Sequence, residues 1–262
     1  MTRKNPPPIL STAAQVADLL RSHACDRRAN VSRSFFKTGT GEYAENDRFL
    51  GVPVPRQRMI ARQARGIPKA QIECLLTSPW HEERFTGLVL LVDAFEGGES
   101  QVRHEVVSLY LRRLSCVNNW DLVDISAWQI LGRHVRAGAP SPLPSLARSS
   151  ILWERRIAMV STYAWIREGQ AEPALSLAGT LLSDPEDLIH KAVGWMLREV
   201  GKHAGKAVLE AFLEAHSDNM PRTALRYAIE RFPDPERRQW LSRGKKNRVQ
   251  ESTNSTPTKG RL

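Results

Sequence analysis

The chain has 262 residues, of which 41% are hydrophobic and 25% are charged. This composition is ordinary for a soluble protein with a real core and is not that of a disordered chain. The formal net charge of +10 is not ordinary. An excess of this size favours an anionic partner, most simply nucleic acid, although an anionic membrane surface or a generally basic proteome would explain it too.

Cysteine usage and hydropathy indicate a cytoplasmic protein. Cys25, Cys74 and Cys116 lie far apart and form no Cys-x-x-Cys pair, so we expect reduced thiols that serve as small buried apolar groups. The segment Met1–Pro8 carries no long apolar run and does not resemble a secretory signal. The longest aliphatic run, Leu88–Val92, is too short to span a bilayer.

The N-terminal region predicts a lead, a helix and a loop. Residues 1–10 include three consecutive prolines and predict a flexible lead. Ser11 or Thr12 then caps a helix of amphipathic pattern. The Gly-rich segment Lys37–Tyr43 predicts a loop, and it is not a phosphate-binding P-loop because no Gly-Lys-Ser/Thr follows it.

From about Pro55 onward, apolar residues recur at helical spacing, and no alternating strand pattern of useful length is present. The break at Ala137–Leu146 predicts a loop. We expect order to fade after Pro233, and residues 244–262 predict a disordered basic tail. A folded domain would therefore cover residues 11–243. The predicted helices are 56–65, 68–77, 80–96, 99–116, 119–135, 153–168, 172–183, 186–200, 205–216 and 221–231.

Helix starts of similar sequence recur along the chain. They are marked by Arg84, Asp121, Arg156, Lys191 and Arg222, at intervals of 37, 35, 35 and 31 residues. A recurrence in the mid-thirties with two helices per unit is typical of HEAT-like or TPR-like solenoids. The alternative is an irregular all-helical domain.

All of these markers except Asp121 are cationic. Equivalent helix starts line up along one surface of a solenoid, so the cations could follow a phosphate backbone. Alternatively, each cation pairs with a nearby acid such as Glu83 or Glu154.

The segment Asn118–Asp124 carries the clearest candidate for chemistry. If it opens a helix, Trp120 and Asp124 lie one turn apart on the same face. Asp121, in the first turn, is better explained as a residue that stabilises the helix start. For Trp120, packing in the core is the alternative to function.

A second tryptophan, Trp195, lies four residues after Lys191, and the preceding Gly194 permits close approach of a backbone. Other chemistries lack their motifs. No His-x-x-x-His pair predicts a metal site, and no Gly-x-Ser-x-Gly elbow predicts a hydrolase triad.

Four segments together resemble the AlkD-like family of alkylpurine DNA glycosylases. They are Arg48–Val52, Asn119–Asp124, Leu152–Ala158 and Ile189–Glu199, and they span most of residues 33–232. The Gly-rich segment around Thr38–Tyr43 departs from the family pattern.

The resemblance implies an all-α, right-handed superhelical solenoid of HEAT-like repeats. It implies that Asp124 is the catalytic carboxylate, that Trp120 and Trp195 are paired cleft tryptophans, and that Arg156 lies in the cleft. Further DNA contacts are expected from the cations of the helix starts and from one more arginine of the matching segments: Arg84, Lys191, Arg198 and Arg222.

The implied activity is hydrolysis of the N-glycosidic bond of cationic alkylated purines, 3-methyladenine and 7-methylguanine, in double-stranded DNA. We expect a monofunctional enzyme, because no lysine of the motif is placed as a Schiff-base nucleophile. We also expect the enzyme to be monomeric, cytoplasmic and nucleoid-associated, and to use no cofactor or metal. The alternatives are a noncatalytic helical-repeat scaffold that binds nucleic acid or protein, and an RNA-binding scaffold.

Overall fold

The structure is a computed structural model that describes residues 10–253, with side chains for residues 10–243. These residues form helices and no β-strand, apart from an isolated bridge between Arg48 and Trp80. A 3₁₀ turn (Leu114–Cys116) precedes α7 and a π-helix (Trp128–Gly132) precedes α8. The helices are α1 (Ala13–Arg21), α2 (Asp26–Phe35), α3 (Val54–Gln63), α4 (Lys69–Leu76), α5 (His81–Gly97), α6 (Ser100–Arg112), α7 (Trp120–Asp124), α8 (Arg133–Arg136), α9 (Leu143–Leu146), α10 (Leu152–Ser161), α11 (Tyr163–Ile166), α12 (Glu172–Leu181), α13 (Asp187–His203), α14 (Lys206–His216), α15 (Arg222–Ala228) and α16 (Asp234–Thr253).

The helices belong to two units that divide between Ala139 and Pro140. In the first unit α5 is the central helix, buried along most of its length, with α3, α4 and α6 packed against it. In the second unit the amphipathic α13 is central, and α10, α12, α14 and α15 surround it. Each central helix buries its apolar residues against the preceding and following helices, which is the packing that isolated short helices need for stability.

Repeat-like pairing holds within each unit. The helices that carry the predicted markers pack side by side, α5 with α7 in the first unit, and α10 with α13 and α13 with α15 in the second. Their starts are joined by polar contacts: His81 Nε2 lies 2.9 Å from Asp121 Oδ2, Arg156 Nη1 donates to the Leu188 carbonyl at 2.7 Å, and Thr223 Oγ1 donates to Asp187 at 2.8 Å. The predicted all-α fold of HEAT-like helical repeats is confirmed.

The first helix begins as the sequence predicts. The Thr12 hydroxyl accepts a hydrogen bond from the Gln15 backbone N–H, and the Gln15 side chain accepts one from the Thr12 N–H. This reciprocal capping box satisfies two N–H groups that the helix cannot pair itself.

The segment before α3 is fixed to the first turn of α5 by a buried carboxylate. Glu82 accepts hydrogen bonds from the backbone N–H groups of Leu50, Gly51 and Val52 at 2.7–3.3 Å. Gly51 has a φ of 79°, and a Cβ there would lie 2.5 Å from the backbone nitrogen of Ala29. Only glycine combines a positive φ with the absence of a Cβ, so residue 51 must be glycine. The Glu82 carboxylate then lets the start of α5 position the chain that leads away from α2.

Gly194 has a comparable packing role in the second unit. A Cβ at this position would lie 2.5 Å from Cβ of Tyr227 and closer still to the Ala224 carbonyl oxygen. The close approach of a backbone that the sequence suggested therefore occurs, and the backbone is that of α15.

Several sequence expectations need correction. No helix was predicted from the sequence at α2, and the residues of α9 were predicted to lie in a loop. Order was predicted to fade after Pro233, where α16 begins. The backbone of residues 244–253 is helical within the segment predicted as a disordered tail, and residues 1–9 and 254–262 lie outside the described residues. Cys74 is exposed rather than buried. Between residues 10 and 253, no helix combines the length and apolar character needed to cross a membrane.

Candidate active site

The segment around Trp120 forms the short helix α7. Asn119 is its N-cap and is fully buried, and its side-chain oxygen accepts a hydrogen bond from the Trp120 N–H at 2.8 Å. Trp120 is the first residue of α7 and Asp124 the last, so the two side chains lie one turn apart on one face. Both residues are half-buried, and the predicted pairing of an aromatic ring with a carboxylate on one helix face is therefore present.

Trp120 lies in a group of aromatic rings that the sequence did not predict. Its indole stacks on Phe36, with centroids 5.4 Å apart and planes 21° apart, and it meets the edge of Phe35 at 5.9 Å. Phe36 also stacks on Phe49 at 5.0 Å. Phe35 is 63% exposed although it is a large apolar residue. The orientation of Trp120 is therefore set by two rings at the C-terminal end of α2, Phe35 as its last residue and Phe36 as its C-cap.

Asp121 is held by a buried histidine. His81 Nε2 lies 2.9 Å from Asp121 Oδ2, and His81 Nδ1 lies 2.9 Å from Asp47 Oδ2, with the His81 side chain only 3% exposed. Burial opposes a charge on the ring, but the charges and hydrogen bonds of Asp121 and Asp47 outweigh it and raise the pKa of His81 to about 9. The imidazole is therefore protonated at neutral pH, and each ring nitrogen donates to one carboxylate.

A further hydrogen bond of Asp121 lies within α7 itself. The other Asp121 oxygen accepts a hydrogen bond from the Leu122 N–H at 2.8 Å, within the first turn. Asp121 thus stabilises the helix start, as expected, and in addition it holds His81. Asp124 lies at the opposite end of α7.

Arg84 belongs to this buried network, and its contact with DNA stays a prediction. Its residue exposure is 5%, Nη2 lies 2.5 Å from Asp47 Oδ1, and Nη1 donates to the Ser78 carbonyl at 2.9 Å. Burial raises the pKa of Asp47, but the hydrogen bond from His81 and the charges of Arg84 and His81 outweigh it, so this pKa is lowered. The guanidinium of Arg84 therefore stabilises the buried network, and only 6% of its side chain is exposed.

The remaining site candidates lie in the second unit. Trp195 is half-buried on α13, with its ring centroid 6.3 Å from that of Tyr163. Arg156 is buried, and through the Leu188 carbonyl it joins the starts of α10 and α13. Its contact with DNA stays a prediction, as does the catalytic role of Trp195.

The other cations of this unit differ in their surroundings. Lys191 pairs with Asp187 at 2.8 Å, and Arg198 pairs with Glu199 at 3.3 Å and with Glu230. Lys191 and Arg198 therefore both pair with nearby acids, which was the alternative to a DNA contact. The acids are not Glu83 or Glu154, which the sequence had suggested. Arg222 is half-buried, and its Nη1 has no hydrogen-bond partner among the described residues.

No group of three or more His, Cys, Asp or Glu side chains suited to a metal ion occurs among the described residues. The chemistry that the site can support is that of a carboxylate beside aromatic faces, which stabilises a developing positive charge.

Comparison with known proteins assigns the family. Residues 16–232 match the model of the DNA alkylation repair enzyme family. The chain therefore belongs to this family, and DNA is the substrate that membership implies. A solved structure described as a predicted DNA alkylation repair enzyme from Enterococcus faecalis has the same fold, with a TM-score of 0.62 and 15% sequence identity over 81% of this chain and 98% of that chain. Comparison with curated proteins gave no match.

Proposed function

We propose that this protein is a monofunctional DNA glycosylase that hydrolyses the N-glycosidic bond of cationic alkylated purines in duplex DNA. The observation that carries the proposal is the arrangement of α7. Trp120 and Asp124 lie on one half-exposed face, while Asp121 between them is bound to His81. Asp121 stabilises the helix start and binds His81, and we assign the chemistry to Asp124, the last residue of α7.

The chemistry follows from the charge of the substrate. Alkylation at N3 or N7 makes the purine cationic, so the base leaves as a neutral molecule with the electrons of the glycosidic bond. No general acid is needed. The deoxyribose carbon is left with positive charge, which the Asp124 carboxylate stabilises while it positions the attacking water. Water adds its hydroxyl to that carbon and releases a proton.

Trp120 would present a π face to this cationic centre. A role of Trp195, which lies in the second unit, stays a prediction. Contacts with the phosphate backbone are assigned to Lys191, Arg198 and Arg222. Arg84 and Arg156 are each only 5% exposed and are not assigned to this set. The net charge of +10 supports binding to a polyanion.

Release of free bases from methylated duplex DNA, with protein in excess, tests the proposal. Wild-type protein should release 7-methylguanine and 3-methyladenine but not a neutral base such as hypoxanthine. Asp124→Asn should lower the release rate on the order of 10²- to 10³-fold, the usual cost of removing one charge-stabilising group. Its affinity for the DNA, measured by fluorescence anisotropy, should not fall.

Asp18→Asn is the matched control, because Asp18 is 77% exposed on α1 and its loss changes the net charge by the same amount. This variant should release bases at the wild-type rate. Equal release by Asp124→Asn and wild type would refute the catalytic assignment. A wild-type protein that binds methylated DNA but releases no base would instead be the noncatalytic scaffold.

A further inference from the structure

The short helix α7 cannot be held in place by its own backbone. It has five residues, with the 3₁₀ turn Leu114–Cys116 before it and the π-helix Trp128–Gly132 after it. A helix of this length closes too few hydrogen bonds to offset the cost of its nucleation. Side chains from other elements must therefore fix the position of Trp120 and Asp124.

Two sets of contacts reach α7 from His81, the first residue of α5. One is the hydrogen bond between His81 Nε2 and Asp121, next to Trp120 in the chain. The other is aromatic: the imidazole stacks on Phe49 at 4.6 Å and lies 5.0 Å from Phe36, the ring on which Trp120 stacks. One buried ring thus contacts both the Asp121 carboxylate in the first turn of α7 and the aromatic support of the candidate site.

We propose that His81 is a positioning residue for the reaction: as an imidazolium held between Asp47 and Asp121, it fixes the start of α7 and the stack beneath Trp120, and so orients Trp120 and Asp124. The proposal rests on the proposed function for its effect on catalysis. Its structural part, the coupling of His81 to Trp120, is independent of that function.

The charged groups that face His81 are few. Asp47 comes from the segment before α3, Asp121 from α7, and Arg84 from α5 itself, through their shared partner Asp47. The acids next to His81 on α5 are directed elsewhere, Glu82 to the amides of residues 50–52 and Glu83 to Arg21 of α1. A change in protonation at His81 therefore acts first on Asp47 and Asp121.

Loss of the proton removes one of the two N–H donors, so either Asp47 or Asp121 loses its hydrogen bond from the ring. The pKa of His81, raised to about 9 by these carboxylates against the effect of burial, places this loss on the alkaline side. Below that pH the site is ordered; above it, α7 is released from α5. A purely structural contact that leaves α7 in place would not produce this pH dependence.

The first experiment follows the single-turnover rate of 7-methylguanine release from pH 6 to pH 10, with the rate in the absence of protein subtracted at each pH. The wild-type rate should fall above about pH 9. His81→Gln should be slower on the order of 10- to 100-fold at pH 7.5, since small misplacement of reacting groups is costly, should bind DNA with unchanged affinity, and should lack the alkaline fall. His104→Gln, an exposed histidine of α6, should match the wild type throughout.

The second experiment needs no catalysis. In protein labelled with 5-fluorotryptophan, the fluorine resonance of Trp120, assigned with Trp120→Phe, should shift as the pH passes about 9. In His81→Gln it should be displaced at pH 7.5 and should not titrate. If His81→Gln does not fold, the wild-type titration of this resonance decides alone.

A Trp120 resonance that neither titrates in the wild type nor moves in His81→Gln would overturn the proposal, as would an identical pH–rate profile in the two proteins. If the wild type releases no base at all, the proposed glycosylase function fails, while the fluorine experiment still decides whether His81 positions Trp120.

Discussion

Replacement of Gly194 by alanine tests how closely α13 and α15 must approach. The added Cβ would lie 2.5 Å from Cβ of Tyr227, whereas carbon atoms in contact are normally about 3.5–4.0 Å apart. The two helices would have to separate by roughly 1 Å, or their side chains would have to leave preferred rotamers. Overpacking of this kind costs about 1–3 kcal/mol, which exceeds the gain of about 0.5–1 kcal/mol that alanine brings to a helix.

Gly179 in α12 is the matched control in the same unit, because a Cβ there would meet no atom within 4 Å. Gly179→Ala should therefore stabilise the protein by about 0.5–1 kcal/mol, while Gly194→Ala should destabilise it by roughly 1–2 kcal/mol. Urea unfolding followed by circular dichroism measures both. For a slope of about 2 kcal/mol/M, the midpoints should move in opposite directions, Gly194→Ala falling by up to about 1 M. A Gly194→Ala protein as stable as Gly179→Ala would refute the packing argument.

Two further predictions concern the buried network. His81 has a folded pKa of about 9, above its unfolded value of about 6.5, so its contribution to stability is complete below pH 6.5 and is lost as the pH rises through 9. The loss in the free energy of unfolding amounts to about 3 kcal/mol at most. Urea unfolding at pH 6, 7.5 and 9.5 should show this loss in the wild type and not in His81→Gln. An equal decline in the two proteins would contradict the prediction. Arg84→Met should lower the free energy of unfolding because it leaves the buried Asp47 without a partner, yet leave DNA affinity per folded molecule unchanged; a salt dependence of binding weakened by about one phosphate contact would contradict the buried role of Arg84.

Periodicity was sufficient to predict the fold because most of its helices bury one apolar face. Helices α1, α12, α13 and α14 follow this pattern, whereas α5 is buried along most of its length. The exception α2 buries only Ala29, and its other residues are mostly polar or exposed, so no period marks it. Likewise, α9 is a single turn that begins after Pro142 in a proline-rich segment, where the composition favours a loop.

The site was predictable in part for a related reason. Trp120 and Asp124 are close in sequence, so helical spacing alone places them on one face. The residues of the network around Asp121 are distant in sequence, since His81 lies 40 residues before Asp121 and Asp47 lies a further 34 residues before His81. The sequence around a cation such as Arg84 does not indicate whether its side chain is buried or exposed. Its burial becomes evident only when the position of its partner Asp47 is known.

The short length of α7 affects how the protein would lose activity on heating or in denaturant. Helix α7 buries only two apolar residues of its own, Leu122 and Val123, and is otherwise held by His81 and Phe36, whereas α5 and α13 bury many more residues. Regions with few such contacts open at a lower free energy than the whole molecule. Mild heat or denaturant should therefore abolish activity while the helical signal is still intact, and function would recover as soon as one histidine returns to its two carboxylates.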